Sequence, residues 1–163
     1  MSDLNWLLTL RLILAVILTA TIGLERELRQ KNAGLRTHAL VGLGAALLAQ
    51  VSAYGFTELL NKSGQIQLDP TRVAAQVVSG VGFIGGGLIF VHQASVRGLT
   101  TAASVWLSAA IGLASGAGLW VPAIAATALG IIIIDGFERI ERLLARTNKS
   151  HPEEQEVPPP TDS

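Results

Sequence analysis

Glu25, Arg36, Thr37, Asp69, Arg72, Arg97, Thr100, Thr101 and Ser104 are the residues of this chain whose types and positions could do chemistry, with Asp135 weighed beside them. The chemistry open to them is ion binding or pairing rather than catalysis. A carboxylate among arginines stays ionised and paired, so structural pairing around Glu25, Arg36 and Arg97 is the first expectation. An anion site, a lipid-headgroup site or an ion pathway remain open beside it. Asp69 opens the run Asp69-Pro70-Thr71-Arg72. There it reads first as a helix cap, with Pro70 at the first helical position, where its missing N–H had no partner anyway. As a ligand for a hard cation such as Mg2+ Asp69 is a weak candidate, because a single carboxylate makes a poor site. Thr100, Thr101 and Ser104 could donate hydrogen bonds between helices.

Other chemistry finds no support in the motifs. The chain has no cysteine, which excludes disulfides and Cys-ligated metal. His38, His92 and His151 are scattered, and the two at turns are expected to be solvated rather than metal-bound. There is no P-loop, no H-E-x-x-H and no G-x-S-x-G. Gly80 to Gly85 matches G-x-G-x-x-G, but a nucleotide fingerprint needs a strand before it. Inside an uncharged run those glycines are better read as helix packing: Gly80, Gly82, Gly85, Gly86 and Gly87, with Gly82 and Gly86 forming a G-x-x-x-G. No enzyme activity and no cofactor are expected.

The elements that must position these residues follow from where the charges are. Only 15% of the 163 residues are charged and half are apolar. The charges sit in short islands between long uncharged runs, the pattern of a polytopic membrane protein. Net charge is zero, so no bulk attraction to nucleic acid is implied. No cleaved signal peptide is expected, since the first ten residues hold no Lys or Arg. The expected fold is an all-α transmembrane bundle of about five spans, at about 6–24, 38–56, 72–91, 100–117 and 121–137. Helical spacing extends the fifth as an amphipathic segment over 138–147, and the polar, Pro-rich tail over 148–163 reads as disordered. Arg11, near the outer end of span one, should either snorkel or pair. Span three is rich in Gly, Ala and Ser, which places it in the middle of the bundle. Gly34 suits a left-handed cap after the first island, and Thr37 a cap for span two. Pairs four apart, Glu25/Arg29, Glu27/Lys31, Asp135/Arg139 and Glu138/Arg142, suggest helices continuing into water.

Cations set the expected orientation. Nine of the Lys and Arg residues fall on one side of this scheme, and Lys62 and Arg72 on the other. The positive-inside rule then puts the N-terminus outside and the C-terminus in the cytoplasm. An internal repeat is also visible. Ala33–Leu47 and Arg97–Ile111, offset by 64, share eight of fifteen residues. The same offset matches Gly23-Leu24 to Gly87-Leu88, giving a parallel duplication of a two-helix unit. The shared Gly-Leu-x-Thr reads as a turn glycine, a tucked leucine and a capping threonine.

GLERE (Gly23–Glu27), K-x-A-G-L-R-T-H (Lys31–His38), DPTRVAAQVVSGVGFIGGG (Asp69–Gly87) and VRGLTTAASVW (Val96–Trp106) together closely resemble the membrane domain of the MgtC/SapB family, over roughly Arg11 to Asp135. The resemblance implies a bacterial inner-membrane protein connected with growth at low magnesium and, in some pathogens, survival inside host cells. The family's best-known member looks like a regulator of other membrane machinery, the proton-driven ATP synthase included, rather than a magnesium pump. The family's best-known member carries a soluble C-terminal domain, where this chain has a short polar tail; cysteines found in some relatives are absent. Two functions are carried forward. One is a bundle that binds and modulates another membrane protein, or self-associates. The other is a small transporter or channel with a polar seam of Glu25, Asp69, Arg97 and the hydroxyls. The expected partners are the lipid bilayer and membrane proteins, not nucleic acid.

Overall fold

In hydrocarbon every backbone N–H must find its acceptor within the protein, so long uncharged runs have little choice but to be helical. A computed structural model describes residues 2–56, 69, 71–92 and 95–148. The described residues form five helices, α1 (Ser2–Leu28), α2 (Leu35–Tyr54), α3 (Thr71–Gly87), α4 (Leu99–Gly116) and α5 (Trp120–Asn148). A two-stranded antiparallel hairpin, β1 (Phe90–His92) and β2 (Ser95–Arg97), joins α3 to α4. By length and composition α1, α2, α4 and the first part of α5 can each cross a membrane. The 17 residues of α3 reach about 26 Å at ~1.5 Å per residue, a little short of the hydrocarbon thickness.

The distribution of side chains is that of a protein dissolved in lipid. Large apolar groups face outward: Leu40 is 68% exposed, Val121 78%, Ile132 64% and Phe83 88%. Much of what is buried is small or polar, Ala45, Ala46, Thr19, Ser104, Ser108, Ser115 and Thr127, around a few larger apolar groups such as Ile22, Val105 and Ile111. Lipid tails are as apolar as leucine, so helices in lipid gain by close approach rather than by hiding bulk. Thr19 and Thr127 satisfy their hydroxyls on the carbonyls of Ala15 (2.8 Å) and Ala123 (2.9 Å), one turn back in each helix.

The centre of the bundle is α4, which packs against all four other helices, while α3 lies at the periphery against α4 and α2. This reverses the expectation that span three is central. Small-residue content was a misleading guide, because α4 meets its neighbours through Gly, Ala and Ser of its own. Gly112 and Gly116, one turn apart, lie against the backbone of Gly42 and Ala46, one turn apart on α2. A Cβ added at Gly112 would stand 2.9 Å from the Gly42 carbonyl carbon, and one at Gly116 2.8 Å from the Ala46 Cα. By contrast, among the described residues Gly80, Gly82, Gly86 and Gly87 have nothing within 4 Å of an added Cβ, and Gly85 meets Ala102, at 3.8 Å. Of the five glycines assigned to helix packing, Gly85 alone packs against another described residue.

Several boundaries shift for local reasons. The expected span 72–91 is helical only to Gly87, and its last residues turn into the hairpin. The left-handed residue after α1 is Gln30 (φ 53), not Gly34. Gly34 is extended and precedes α2, so Thr37 lies inside the first turn rather than capping it. Gly98 does the same for α4 with φ +89, and Thr100 and Thr101 likewise fall within the helix. Both second helices of the repeat therefore begin one residue after a glycine, 64 positions apart. The helix α5 runs without a break through 138–147; the side chains of Glu138 and of residues 141–148 lie outside the described set, as does the expected disordered stretch beyond 148.

Replacing Gly112 by leucine should push α2 and α4 apart and lower the thermal midpoint in detergent, since forcing extra carbons into a packed core costs roughly 1–3 kcal/mol or more. Gly86→Leu should leave the isolated chain's midpoint unchanged, because none of the described residues occupies that space. Melting the two variants side by side with the parent checks both expectations.

Candidate functional site

One end of the bundle gathers charge. Near the end of α1, the carboxylate of Glu25 accepts from Arg26 Nε at 2.6 Å and from Arg26 Nη2 at 3.1 Å. Its Oε1 also takes Arg29 Nε at 2.5 Å, as the four-residue spacing predicts. Arg29 reaches across to α5 through Nη2, which pairs with Asp135 Oδ1. Asp135 in turn holds Arg139 at 2.9 Å. The result is a ladder of alternating charge, Arg26–Glu25–Arg29–Asp135–Arg139, that fastens α1 to α5. Arg26 is its deepest member, 2% exposed. Fork-shaped arginine suits this, since adjacent N–H groups match the two oxygens of a carboxylate. Glu27 leaves the ladder: its Oε2 accepts the Leu35 N–H at 2.8 Å, putting a negative charge on the positive end of α2.

Beside the ladder lies a buried polar contact between the repeat units. His38, fully buried, donates from Nδ1 to the Gly34 carbonyl at 2.8 Å. Its Nε2 stands 3.1 Å from Ser104 Oγ on α4. Ser104 Oγ is also 2.8 Å from the Thr101 carbonyl, which can only accept. With Nδ1 committed as a donor, the one Ser104 proton serves either the Thr101 carbonyl or a neutral Nε2. His38 is thus a buried link between α2 and α4, where the sequence led to a solvated residue. His92 is exposed on β1, as expected.

The other polar candidates do not form one cluster. Thr100 and Thr101 line a cavity of about 560 Å³ together with Arg26 and Lys31. Arg36 is exposed, Thr37 half-buried, and Arg97 exposed on β2. Asp69 and Arg72 lie at the far end of α3, about 25 Å from its hairpin end at ~1.5 Å per residue. Asp69 is a cap: its Oδ1 accepts from Thr71 N–H at 2.9 Å and from the Thr71 hydroxyl at 2.5 Å. Those bonds, the hydroxyl's first, hold its pKa below the ordinary aspartate value. A seam joining Glu25, Asp69 and Arg97 is therefore not built. Among the described residues no group of three or more His, Asp or Glu is placed to hold a metal ion. At that far end Arg11 donates to the Tyr54 hydroxyl (3.1 Å) and the Gly116 carbonyl (3.4 Å), tying α1 to the C-terminal ends of α2 and α4. Cations are favoured there by the helix dipoles.

With this geometry in hand, comparison with known proteins is decisive on one point. The sequence profile of the MgtC family matches residues 12–143. The chain belongs to the MgtC family. The match takes in the whole Glu25–Asp135 ladder, His38 and Ser104. Among MgtC-family relatives, YhiD of Escherichia coli (strain K12), named as a supposed magnesium transporter, is 46% identical over 139 residues, covering 85% of this chain and 64% of that protein. Protein MgtC of Salmonella typhimurium (strain 14028s / SGSC 2262) is 42% identical over 138 residues, 82% of this chain and 55% of that one. An uncharacterized Synechocystis protein, slr0014, is 47% identical over 115 residues, 71% and 45% of the two chains. The chain thus spans from under half to just under two thirds of the length of these relatives. No solved structure matches it. Family membership and the apolar helices together make this a membrane protein.

Two outcomes test the site. A double-mutant cycle of Arg29→Gln and Asp135→Asn, read from unfolding in detergent, should show favourable coupling of about 1 kcal/mol. Asp69 has a lowered folded pKa, so its capping contribution is present above the unfolded pKa and lost as pH falls through the folded one. Amide exchange in the first turn of α3, corrected for intrinsic pH dependence, should quicken on acidification through that range and stay fast in Asp69→Ala.

Proposed function

We propose that this chain is a non-enzymatic protein of the bacterial inner membrane that modulates another membrane protein during adaptation to low magnesium. One observation supports the reading: α3 presents a face that none of the described residues covers. Gly80, Gly82, Gly86 and Gly87 are open, and beside them an apolar groove of about 600 Å³ runs between α2 and α3, lined by Leu40, Gly44, Leu48, Val73, Gln76 and Ile84. Glycines in a peripheral membrane helix let a second helix approach to backbone contact. Gln76 adds an amide that gains by meeting a polar partner in lipid. The tie to magnesium comes from the resemblance and from the name of the YhiD relative. The cation asymmetry supports a cytoplasmic C-terminus and an outer N-terminus.

A second reading, a small ion transporter or channel, draws on the internal repeat and on the YhiD name. Against it stands the separation of Asp69 from Glu25 and Arg97. Purified protein in liposomes, with Mg2+ and H+ followed separately, distinguishes the two. The modulator reading expects no saturable flux, and a membrane protein crosslinked in cells to a photoreactive residue at position 83, with that crosslink lost when Gly86→Leu is added. Saturable flux abolished by Asp69→Asn or Glu25→Gln would instead establish the transporter. A reporter fused to the C-terminal end should be active only in the cytoplasm.

A further inference from the structure

The two repeat units treat the start of their second helix differently. In the first, the Glu27 carboxylate accepts the Leu35 N–H, so the chain supplies its own anion to the free amides and positive dipole end of α2. The position 64 residues later is Val91, and among the described residues no side-chain oxygen is shown accepting from the first amides of α4. Instead the first-turn residues Leu99, Thr100 and Thr101, with Gly98 in its left-handed conformation, border the cavity of about 560 Å³. Its other polar wall is Arg26 and Lys31. Arg26 is 2% exposed and uses Nε and Nη2 on Glu25, while its Nη1 makes no hydrogen bond among the described residues. No carboxylate lines this space among the described residues.

We propose that this cavity binds a phosphate group, and that the phosphate belongs to an anionic phospholipid. An uncapped helix start beside two cations is a site for a multi-oxygen anion, because amides and guanidinium donate to different oxygens of the same group. The remaining wall selects the source. Ile133, Ile134 and Phe137 of α5 and Val96 of β2 are apolar, and they would contact the first carbons of an acyl chain. A free phosphate would gain nothing from them. The volume falls within the ~300–1,000 Å³ of ordinary ligand sites. In the first repeat unit Glu27 fills the equivalent place, so the lipid takes the position that a side chain holds in its structural twin. The inference needs only that the chain sits in a membrane, and stands or falls apart from any partner.

The test is the thermal midpoint of the purified full chain in mixed micelles carrying phosphatidylglycerol, phosphatidylcholine, or no lipid with inorganic phosphate. Phosphatidylglycerol should raise the midpoint, and the other two should not. Removing Arg26 risks unfolding the ladder, so the variants are Lys31→Gln and Val96→Glu. Loss of one charge-assisted contact in Lys31→Gln should weaken the apparent affinity for phosphatidylglycerol by about tenfold. Val96→Glu places a carboxylate in the cavity, as Glu27 does for α2, and should abolish the phosphatidylglycerol effect without lowering the lipid-free midpoint. Equal stabilisation by phosphatidylcholine, or an undiminished effect in Val96→Glu, would overturn the site. Inorganic phosphate reproducing the full effect would overturn the lipid as its occupant.

Discussion

The structure depends on one crossing, where α2 and α4 touch backbone to backbone. Gly42 and Ala46 on one helix face Gly112 and Gly116 on the other, without room for a Cβ at either glycine of α4. In lipid this contact cannot be replaced by greasier side chains, because the solvent is already apolar. It brings the second helices of the two repeat units together. That proximity puts His38 of α2 beside Ser104 of α4, linking the units by a hydrogen bond in the interior. The first helices then take their places outside this pair: α1 on α2 and α4, with Gln50 reaching the Leu8 carbonyl at 2.9 Å, and α3 on the far side of α4.

Charge is confined to the two ends, and it does different work at each. At one end the ladder from Arg26 to Arg139 joins α1 to α5, with two carboxylates set among three guanidiniums. At the other, Arg11 serves the carbonyl end of α4, and Asp69 the amide end of α3. Between them the bundle holds hydroxyls and small apolar groups. The duplication has therefore produced a scaffold that is symmetric in its helix starts and unsymmetric in its charges. Glu27 has no counterpart in the second unit, and α3 lacks the length and the lipid-facing bulk of α1. The unsymmetric features, an uncapped α4 and an uncovered α3, are where other molecules have room to bind.

Much of this could be read from the residues. Islands such as Glu25–His38 separated the helices, the four-residue spacings of Glu25/Arg29 and Asp135/Arg139 gave real pairs, and the shared Gly-Leu step marked both turns, although α2 begins at Leu35 and α4 at Leu99, ahead of the threonines expected to cap them. Asp69 as a cap was legible because its role is local. What failed was what depends on neighbours distant in sequence. The glycines of α3 have the spacing of a packing motif, but spacing does not tell whether the partner is in the same chain. Gly112 and Gly116 have that spacing too, inside a run less rich in glycine. A lone histidine near a turn has no pattern, so His38 was invisible until α4 was placed against it. Arg26 looked like one more surface cation in a charged island, and only the approach of α4 and α5 buries it. The hairpin at 90–97 was missed because three-residue strands are too short to show alternation.

The central claim is an interior built around α4, mostly of small and polar groups with a few buried aliphatics, and most large apolar groups turned to lipid. Footprinting in native membranes with a lipid-soluble carbene reagent tests it most directly. Leu40, Phe83, Val121 and Ile132 should be modified strongly, while Ile22, Val105, Ser108 and Ile111 should be spared. Labelling of Val105, Ser108 and Ile111 to the same extent as Leu40 would contradict a central α4 and the account built on it.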